Sequence, residues 1–275
     1  MKYFFIIVSL AMFCTSCSNI QRKIYSPTLV NNPSLQAKND YSLSLAVSVP
    51  AGVDLNAGYA ITNRLAVIGG LYSYKNNDKE IDYSLFSVNQ STASLSYKNK
   101  GFHLGAGVFM PISKKMPAAF ISFFGGYTKG NFEMRESFYE TSPTASPSPK
   151  LNFYKSDLNR WFLQGSFNWY DQFIHQSVIA RFNYAGYGNV TTDYTAAEQY
   201  SFNFPPFAYP RWSSFLDVSF DTKIFFSKKQ LVGLQFSGTT TFRLKRQDFN
   251  FHYYPFRMGL GIVLKMPFKI KELKK

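Results

Sequence analysis

Large apolar side chains alternate with small, polar or charged ones along ten separate segments of this sequence. In RMGLGIVLKMPF, residues 257–268, six large apolar residues fall on one face, and Arg257, Lys265, two glycines and a valine fall on the other. Successive side chains of a β-strand point to opposite faces, so alternation with a period of two predicts strands. No helical pattern lies between the segments, which indicates an antiparallel sheet. The predicted strands cover residues 41–49, 53–61, 65–74, 102–112, 119–132, 160–170, 174–187, 212–226, 231–242 and 257–268.

Every charge in the last three predicted strands lies on one face. These charges belong to Asp217, Asp221, Lys223, Arg257 and Lys265, and their face is otherwise rich in Gly and Ser. The opposite face is aliphatic and aromatic, in a chain whose aromatic content is 19%. A charge that faces lipid near the bilayer midplane costs about 2–4 kcal/mol, which is enough to empty that face of charge. The apolar face is therefore expected to meet lipid, and the charged face to line a narrow lumen.

The connections between the predicted strands alternate between short and long. Short connections at 62–64, 113–117, 171–172 and 227–229 alternate with long ones at 75–101, 133–159, 188–211 and 243–256, and the first hairpin at 50–52 is also tight. This alternation is typical of outer-membrane barrels, with short periplasmic turns and long outer loops. The predicted fold is a closed antiparallel up-and-down transmembrane β-barrel of about ten strands, and a soluble ligand-binding barrel is the alternative. Residues 81–97 are expected to form a small hairpin above the barrel.

Basic residues support the same orientation. Arg64, Lys228, Lys229 and the tail lysines are assigned to the short-turn end, together with Arg22 and Lys23. Cations there could attract the phosphate headgroups of the periplasmic leaflet.

The first 17 residues have the features of an export signal, with Lys2 followed by an apolar stretch and small residues before a cleavage point. Cys14-Thr15-Ser16-Cys17 resembles the lipobox of bacterial lipoproteins, in which the last cysteine is lipidated, although Cys14 stands where Leu is usual. An ordinary signal peptide is the alternative. The predicted organisation is a signal peptide at 1–17, an extended tether at 18–40, a barrel at 41–268 and a basic periplasmic tail at 269–275. Whether the tether hangs below the barrel or enters it stays open.

A terminal aromatic residue, Phe268, resembles the assembly signal of outer-membrane barrels. The order of Cys17, IYSPTLVNNPSL, VDLNAGYAIT and a Gly-Gly-aromatic strand resembles a group of outer-membrane β-barrel lipoproteins of the Bacteroidota. The resemblance implies the cell outer membrane and the barrel fold, and it implies no reaction.

The sequence gives little sign of catalytic chemistry. His103, His175 and His252 show no spacing that predicts a nucleophilic triad, and no metal-ligand or phosphate-binding pattern accompanies them. Ten-stranded proteases of the omptin type carry acid and acid–histidine pairs at the outer rim, where only Asp78, Asp82 and His252 could meet. We therefore expect no enzyme, catalytic residue, cofactor or metal.

Charges inside a lumen must be paired or hydrogen-bonded. Arg181 and Asp217 are expected at similar heights on neighbouring strands, and Asp221 is expected to face Gln235. The predicted lumen network comprises Arg181, Asp217, Asp221, Lys223, Gln235, Arg257 and Lys265.

The predicted role is non-enzymatic, either structural or in surface interaction through the extracellular loops. The expected partners are membrane lipids and an extracellular molecule bound by the loops. Nucleic acid is not expected, because no binding motif accompanies the net charge of +14. The alternatives are a small outer-membrane channel and, less favoured, an omptin-like surface protease.

Overall fold

The computed structural model describes residues 23–79, 94–113, 116–139, 149–201, 212–244 and 252–267. It is a closed barrel of ten antiparallel strands, which confirms the predicted fold class. The barrel strands are β2 (Asp40–Val49), β3 (Gly52–Ala60), β4 (Leu65–Lys79), β5 (Ser94–Ser113), β6 (Met116–Tyr139), β7 (Pro149–Tyr170), β8 (Ile174–Thr192), β9 (Trp212–Phe225), β10 (Val232–Arg243) and β12 (Phe256–Pro267). Outside the barrel wall lie β1 (Lys23–Tyr25), β11 (His252–Tyr253) and helix α1 (Ala196–Ser201). No helix in the described ranges is long and apolar enough to cross a membrane.

Each barrel strand from β2 to β10 pairs with the next one along the chain, and β12 closes the ring by pairing with both β10 and β2. Closure leaves no open edge at which another chain could add a strand. The short strands β1 and β11 form a separate parallel pair at the long-loop end, where the connection between β10 and β12 lies.

The middle strands extend further towards the long-loop end than the alternation predicted. Residues 75–79, 94–101, 133–139 and 149–159, which were predicted to be loops, belong to β4, β5, β6 and β7. In β5 the outward residues of this extension include Lys98 and Lys100, and the inward ones include Tyr97 and Asn99. Because polar residues occupy both faces there, the apolar–polar alternation is lost although the strand continues. The prediction of a separate hairpin at 81–97 is wrong for residues 94–97, which lie in β5. Residues 81–93 lie outside the described part of the chain.

Aromatic residues mark both edges of the apolar band on the outer surface. Tyr127 contacts Trp161 at a ring-centroid distance of 4.8 Å, and Tyr184 stacks on Trp212 at 4.7 Å. Trp169 lies further along β7, towards the short turns. At about 3.4 Å per residue, Trp161 and Trp169 are about 27 Å apart along β7. A strand tilt of about 40° converts this to a height of about 20 Å, close to the apolar band of membrane barrels.

Candidate functional site

The lumen of the barrel is filled by the chain's own N-terminal segment. Residues 25–35, here called the luminal segment, are all buried. The segment begins at Tyr25 beside β11 and runs down the lumen to Leu35 at the short-turn end, where the chain turns into β2. The described part of the predicted tether therefore enters the barrel. The assignment of Lys23 to the short-turn end is wrong, since its backbone pairs with His252 at the long-loop end.

A tight turn at 36–39 reverses the chain between the luminal segment and β2. The carboxylate of Asp40 accepts hydrogen bonds from the backbone N–H groups of Gln36 and Ala37, at 2.8 and 3.1 Å. Asn39 adopts a left-handed conformation with φ of 66°, which asparagine tolerates better than most residues. Its N–H donates to the carbonyl of Ala60 at 2.9 Å. The lower end of the luminal segment is thus tied to the β3–β4 region of the barrel.

Two apolar clusters close the lumen above and below a polar layer. In the upper cluster, the ring of Tyr25 stacks on Phe215 at 3.9 Å with an interplanar angle of 7°. In the lower cluster, Leu35 packs among inward-facing side chains of the short-turn end. The upper cluster also contains Tyr74, Leu95, Tyr97, Phe132, Met134, Tyr154, Leu158, Tyr187, Tyr194 and Tyr254, and the lower one Ile68, Phe109, Phe120, Phe124, Phe162 and Tyr170.

Two buried arginines bind the upper half of the luminal segment. Arg160 donates to the hydroxyls of Thr28 at 3.1 Å and Tyr25 at 3.3 Å. Arg181 donates to Thr28 at 3.4 Å and to Oε1 of Gln164 at 2.6 and 3.0 Å. Gln164 in turn donates to the backbone carbonyl of Asn31 at 3.1 Å. These bonds place polar partners around the guanidinium groups, as buried charges require.

A third arginine, Arg257, forms an ion pair with a carboxylate of the barrel wall and also binds the start of the luminal segment. Nη2 of Arg257 lies 2.7 Å from Oδ2 of Asp54, and both side chains are at most 2% exposed. The guanidinium also donates to the hydroxyl of Ser48 at 2.7 and 3.0 Å, and to the backbone carbonyl of Pro27 at 2.9 Å.

Lysines bind the lower half of the luminal segment. Nζ of Lys223 lies 2.9 Å from Asp221 and donates to the carbonyl of Asn32 at 2.5 Å and to the hydroxyl of Ser34 at 3.3 Å. Lys265 reaches Oε1 of Gln36 at 3.3 Å, just below the segment. Lys223 thus joins β9 to the luminal segment, and Lys265 joins β12 to the turn that follows it.

Close packing against the barrel wall requires small residues at two positions. A Cβ at Gly58 would lie 2.4 Å from the Pro33 ring, and a Cβ at Gly259 would lie 2.3 Å from the end of Leu29. The amide of Asn31 donates to the carbonyls of Ala57 and Gly69, both at 2.9 Å. Gly58 on β3 and Gly259 on β12 therefore make room for the enclosed chain.

The structure places all seven residues of the predicted lumen network inside the barrel. Arg181 and Asp217 are cross-strand partners, as their heights predicted. Asp217 accepts its hydrogen bonds from Asn183 and Thr241, at 2.8 and 2.7 Å. The network members are Arg181, Asp217, Asp221, Lys223, Gln235, Arg257 and Lys265, and Gln235 donates to Asp221 at 2.7 Å.

Sequence reasoning missed Asp54, Arg160 and the luminal segment as members of the site. Asp54 and Arg160 lie on the polar faces of predicted strands, so alternation alone could have assigned them to the lumen. The luminal segment has no such signal, because it follows neither strand nor helix periodicity.

The candidate catalytic residues Asp78, Asp82 and His252 have side chains outside the described part of the structure. Asp82 lies outside the described residues, and Asp78 and His252 are described only through their backbones in β4 and β11. His103 and His175 are buried in the lumen, where His103 lies 3.4 Å from the Asn31 amide. No cluster of His, Cys, Asp and Glu that could hold a metal occurs among the described residues. Cys17 and Phe268 also lie outside the described ranges.

No protein-family model and no curated protein sequence matches this chain. The crystal structure of the outer membrane protease OmpT from Escherichia coli superimposes with a TM-score of 0.53 and 7% identity, covering 87% of this chain and 99% of that one. OmpT (in-vitro folded), an outer membrane protein of Vibrio cholerae, has a TM-score of 0.22 and 8% identity, covering 82% and 96%. The second score is too low to support an argument. The first shows a shared fold alone, that of an outer-membrane β-barrel.

Proposed function

We propose that this chain is an outer-membrane lipoprotein, anchored through Cys17, that acts without catalysis by presenting the long-loop end of a sealed barrel to a partner outside the cell. The observation that carries this proposal is the filled lumen. Tyr25, Leu35 and the side chains around them close it at both ends, and ion-paired or hydrogen-bonded charges fill the middle. A barrel whose interior is occupied in this way has no path for a solute.

The extended strands support presentation at the long-loop end. On β7, Leu151 and Lys155 lie beyond the aromatic row at Trp161, and both are exposed. The strands β5 to β8 therefore project a rigid wall beyond the apolar band. Binding residues are often carried on loops that a rigid scaffold positions, and this wall supplies such a scaffold.

Location and anchoring are tested by fractionation and acyl labelling. We expect the protein in the outer-membrane fraction, where it should migrate differently on gels before and after boiling. Labelled palmitate should enter the parent chain and be absent from Cys17→Ser. Recovery in the aqueous phase after carbonate washing would contradict the membrane location, and unchanged labelling of Cys17→Ser would contradict the anchor.

The sealed lumen is tested by conductance in planar bilayers. The purified protein should give no steady open-state current under conditions in which a general porin does. Sustained current would favour the small channel instead. A second assay incubates the folded protein with a library of fluorogenic peptides, and cleavage that co-purifies with the folded barrel would favour the surface protease.

A further inference from the structure

The direction of the luminal segment determines where the preceding chain leaves the barrel. Tyr25 lies in the upper cluster beside Phe215, and Leu35 lies in the lower cluster near the short turns. The chain therefore descends from the long-loop end to the short-turn end before β2 begins at Asp40. Lys23, which precedes the descent, pairs with His252 in the connection between β10 and β12 at the long-loop end.

Chain length limits how far Cys17 can lie from this end. Even when fully extended, the chain from Lys23 back to Cys17 spans about 20 Å. Phe215 and Phe225, at the upper and lower ends of the lumen on β9, are about 34 Å apart along the strand. At a tilt of about 40° this is a height of about 26 Å. From Lys23, Cys17 therefore cannot reach the level of the short turns.

The luminal segment is held by contacts around most of the barrel's circumference. Thr28 contacts β7 and β8, and Asn31 contacts β3, β4 and β7. Asn32 contacts β7 and β9, and the Pro27 carbonyl contacts β12. Reversing the direction of the segment would break all of these bonds, so the exit of the preceding chain at the long-loop end is part of the folded state.

We infer that the chain before Lys23 leaves the barrel at its long-loop end, so that an acyl group on Cys17 inserts into the leaflet on the long-loop side. The lipid itself rests on the proposed function, whereas the side of exit rests on the luminal segment alone. With the long loops outside the cell, the barrel carries its own lipidated N-terminus across the membrane. The anchor then lies in the outer leaflet, on the same side as the surface available to a partner.

Single cysteines and a membrane-impermeant maleimide–polyethylene glycol test this inference in whole cells. The test variant is Gln21→Cys, and the matched control is Lys38→Cys, which lies at the other end of the luminal segment and is exposed. Two further variants report which end of the barrel faces outwards. They are Leu244→Cys at the long-loop end and Lys229→Cys in the last short turn, both at exposed positions.

Each variant is labelled in intact cells, in cells with a permeabilised outer membrane, and after denaturation. Gln21→Cys should show the same labelling pattern as Leu244→Cys. At least about 80% of the labelling seen in permeabilised cells should already be present in intact cells. Lys38→Cys should show the same labelling pattern as Lys229→Cys. For both variants, labelling in intact cells should be at least tenfold lower than labelling in permeabilised cells. Labelling of Gln21→Cys that follows Lys229→Cys, or that occurs only after denaturation, would overturn the inference.

The same four cysteine variants and the parent chain distinguish a failure of this inference from a failure of the proposed function. If Leu244→Cys and Lys229→Cys exchange their behaviour, the orientation in the membrane is wrong, but Gln21→Cys must still follow Leu244→Cys. If the parent chain reacts after denaturation, its Cys17 thiol is free and the lipid anchor fails. In that case the variants are remade in a Cys17→Ser background, and the side of exit is read as before.

Discussion

Removing the guanidinium of Arg257 should strongly destabilise the barrel. Arg257→Met leaves the carboxylate of Asp54 buried without its cation and leaves the Pro27 carbonyl without its donor. Breaking a buried ion pair by removing one partner costs about 3–5 kcal/mol, because the remaining charge is uncompensated. Methionine keeps much of the side-chain volume, so the loss reports the polar contacts more than a cavity.

Urea unfolding in lipid vesicles measures this cost. The three tryptophans of the chain are Trp161, Trp169 and Trp212, and all lie in barrel strands, so their fluorescence reports loss of the lipid environment. With a denaturant slope of about 3 kcal/mol per molar, the midpoint for Arg257→Met should fall by about 1–1.7 M. Arg64→Met, in an exposed turn, is the control and should leave the midpoint unchanged.

A double-mutant cycle distinguishes the ion pair from a general effect of substitution. Asp54→Asn combined with Arg257→Met removes both charges, so the double variant should be more stable than the sum of the single losses predicts, by at least about 1 kcal/mol. The reasoning is refuted if Arg257→Met unfolds at the parent's urea concentration, or if the two losses simply add.

Two further substitutions test the luminal segment and the lipid-facing surface. Gly58→Leu forces a side chain into the Pro33 ring, so we expect loss of the folded band on unboiled gels. The control is Gly188→Ala, where an added Cβ meets nothing within 4 Å, and it should keep that band. A folded band for Gly58→Leu would contradict the packing. Leu163→Arg introduces a charge at a lipid-facing position that is 67% exposed, and it should lower the free energy of unfolding in urea by about 2–4 kcal/mol. Leu151→Arg, on the same strand beyond the aromatic row and 70% exposed, should cost little. Equal losses would contradict the position of the membrane band.

The membrane-spanning part of the fold could be predicted from the sequence because lipid imposes a strict pattern there. Most outward residues there are apolar, as Trp161 and Leu163 are, and inward residues such as Gln164 are free to be polar. Alternation therefore marked all ten strands. It also fixed relative heights closely enough to predict Arg181 opposite Asp217.

Beyond the apolar band this constraint disappears. Lys98 and Lys100 face outwards beyond the apolar band, so nothing in their hydrophobicity distinguishes strand from loop. Inward residues such as Leu95 and Tyr97 still pack in the upper cluster, but the polar Asn99 follows them on the same face, so the sequence showed no sustained alternation. The predicted loops were consequently too long at both β5 and β6.

The luminal segment could not be predicted for a different reason. Its place is determined by contacts that are distant in sequence, such as Asn32 with Asn168 and Ser34 with Lys223. It binds largely through its backbone carbonyls and short polar side chains, which any sequence of similar composition could supply. The small inward residues Gly58 and Gly259 were visible as a pattern, but they indicated only a narrow lumen and not its occupant.

The luminal segment is better understood as part of the barrel core than as a tether. Arg160, Arg181 and Arg257 are buried in the wall, and each donates to an oxygen of residues 25–28. Without those oxygens the arginines would have to be satisfied by water, so an empty lumen would be hydrated and less stable. Since β12 pairs with β2, and β2 follows the segment directly, closing the ring traps the segment inside. The closed wall and the segment that fills it are therefore parts of one folded unit.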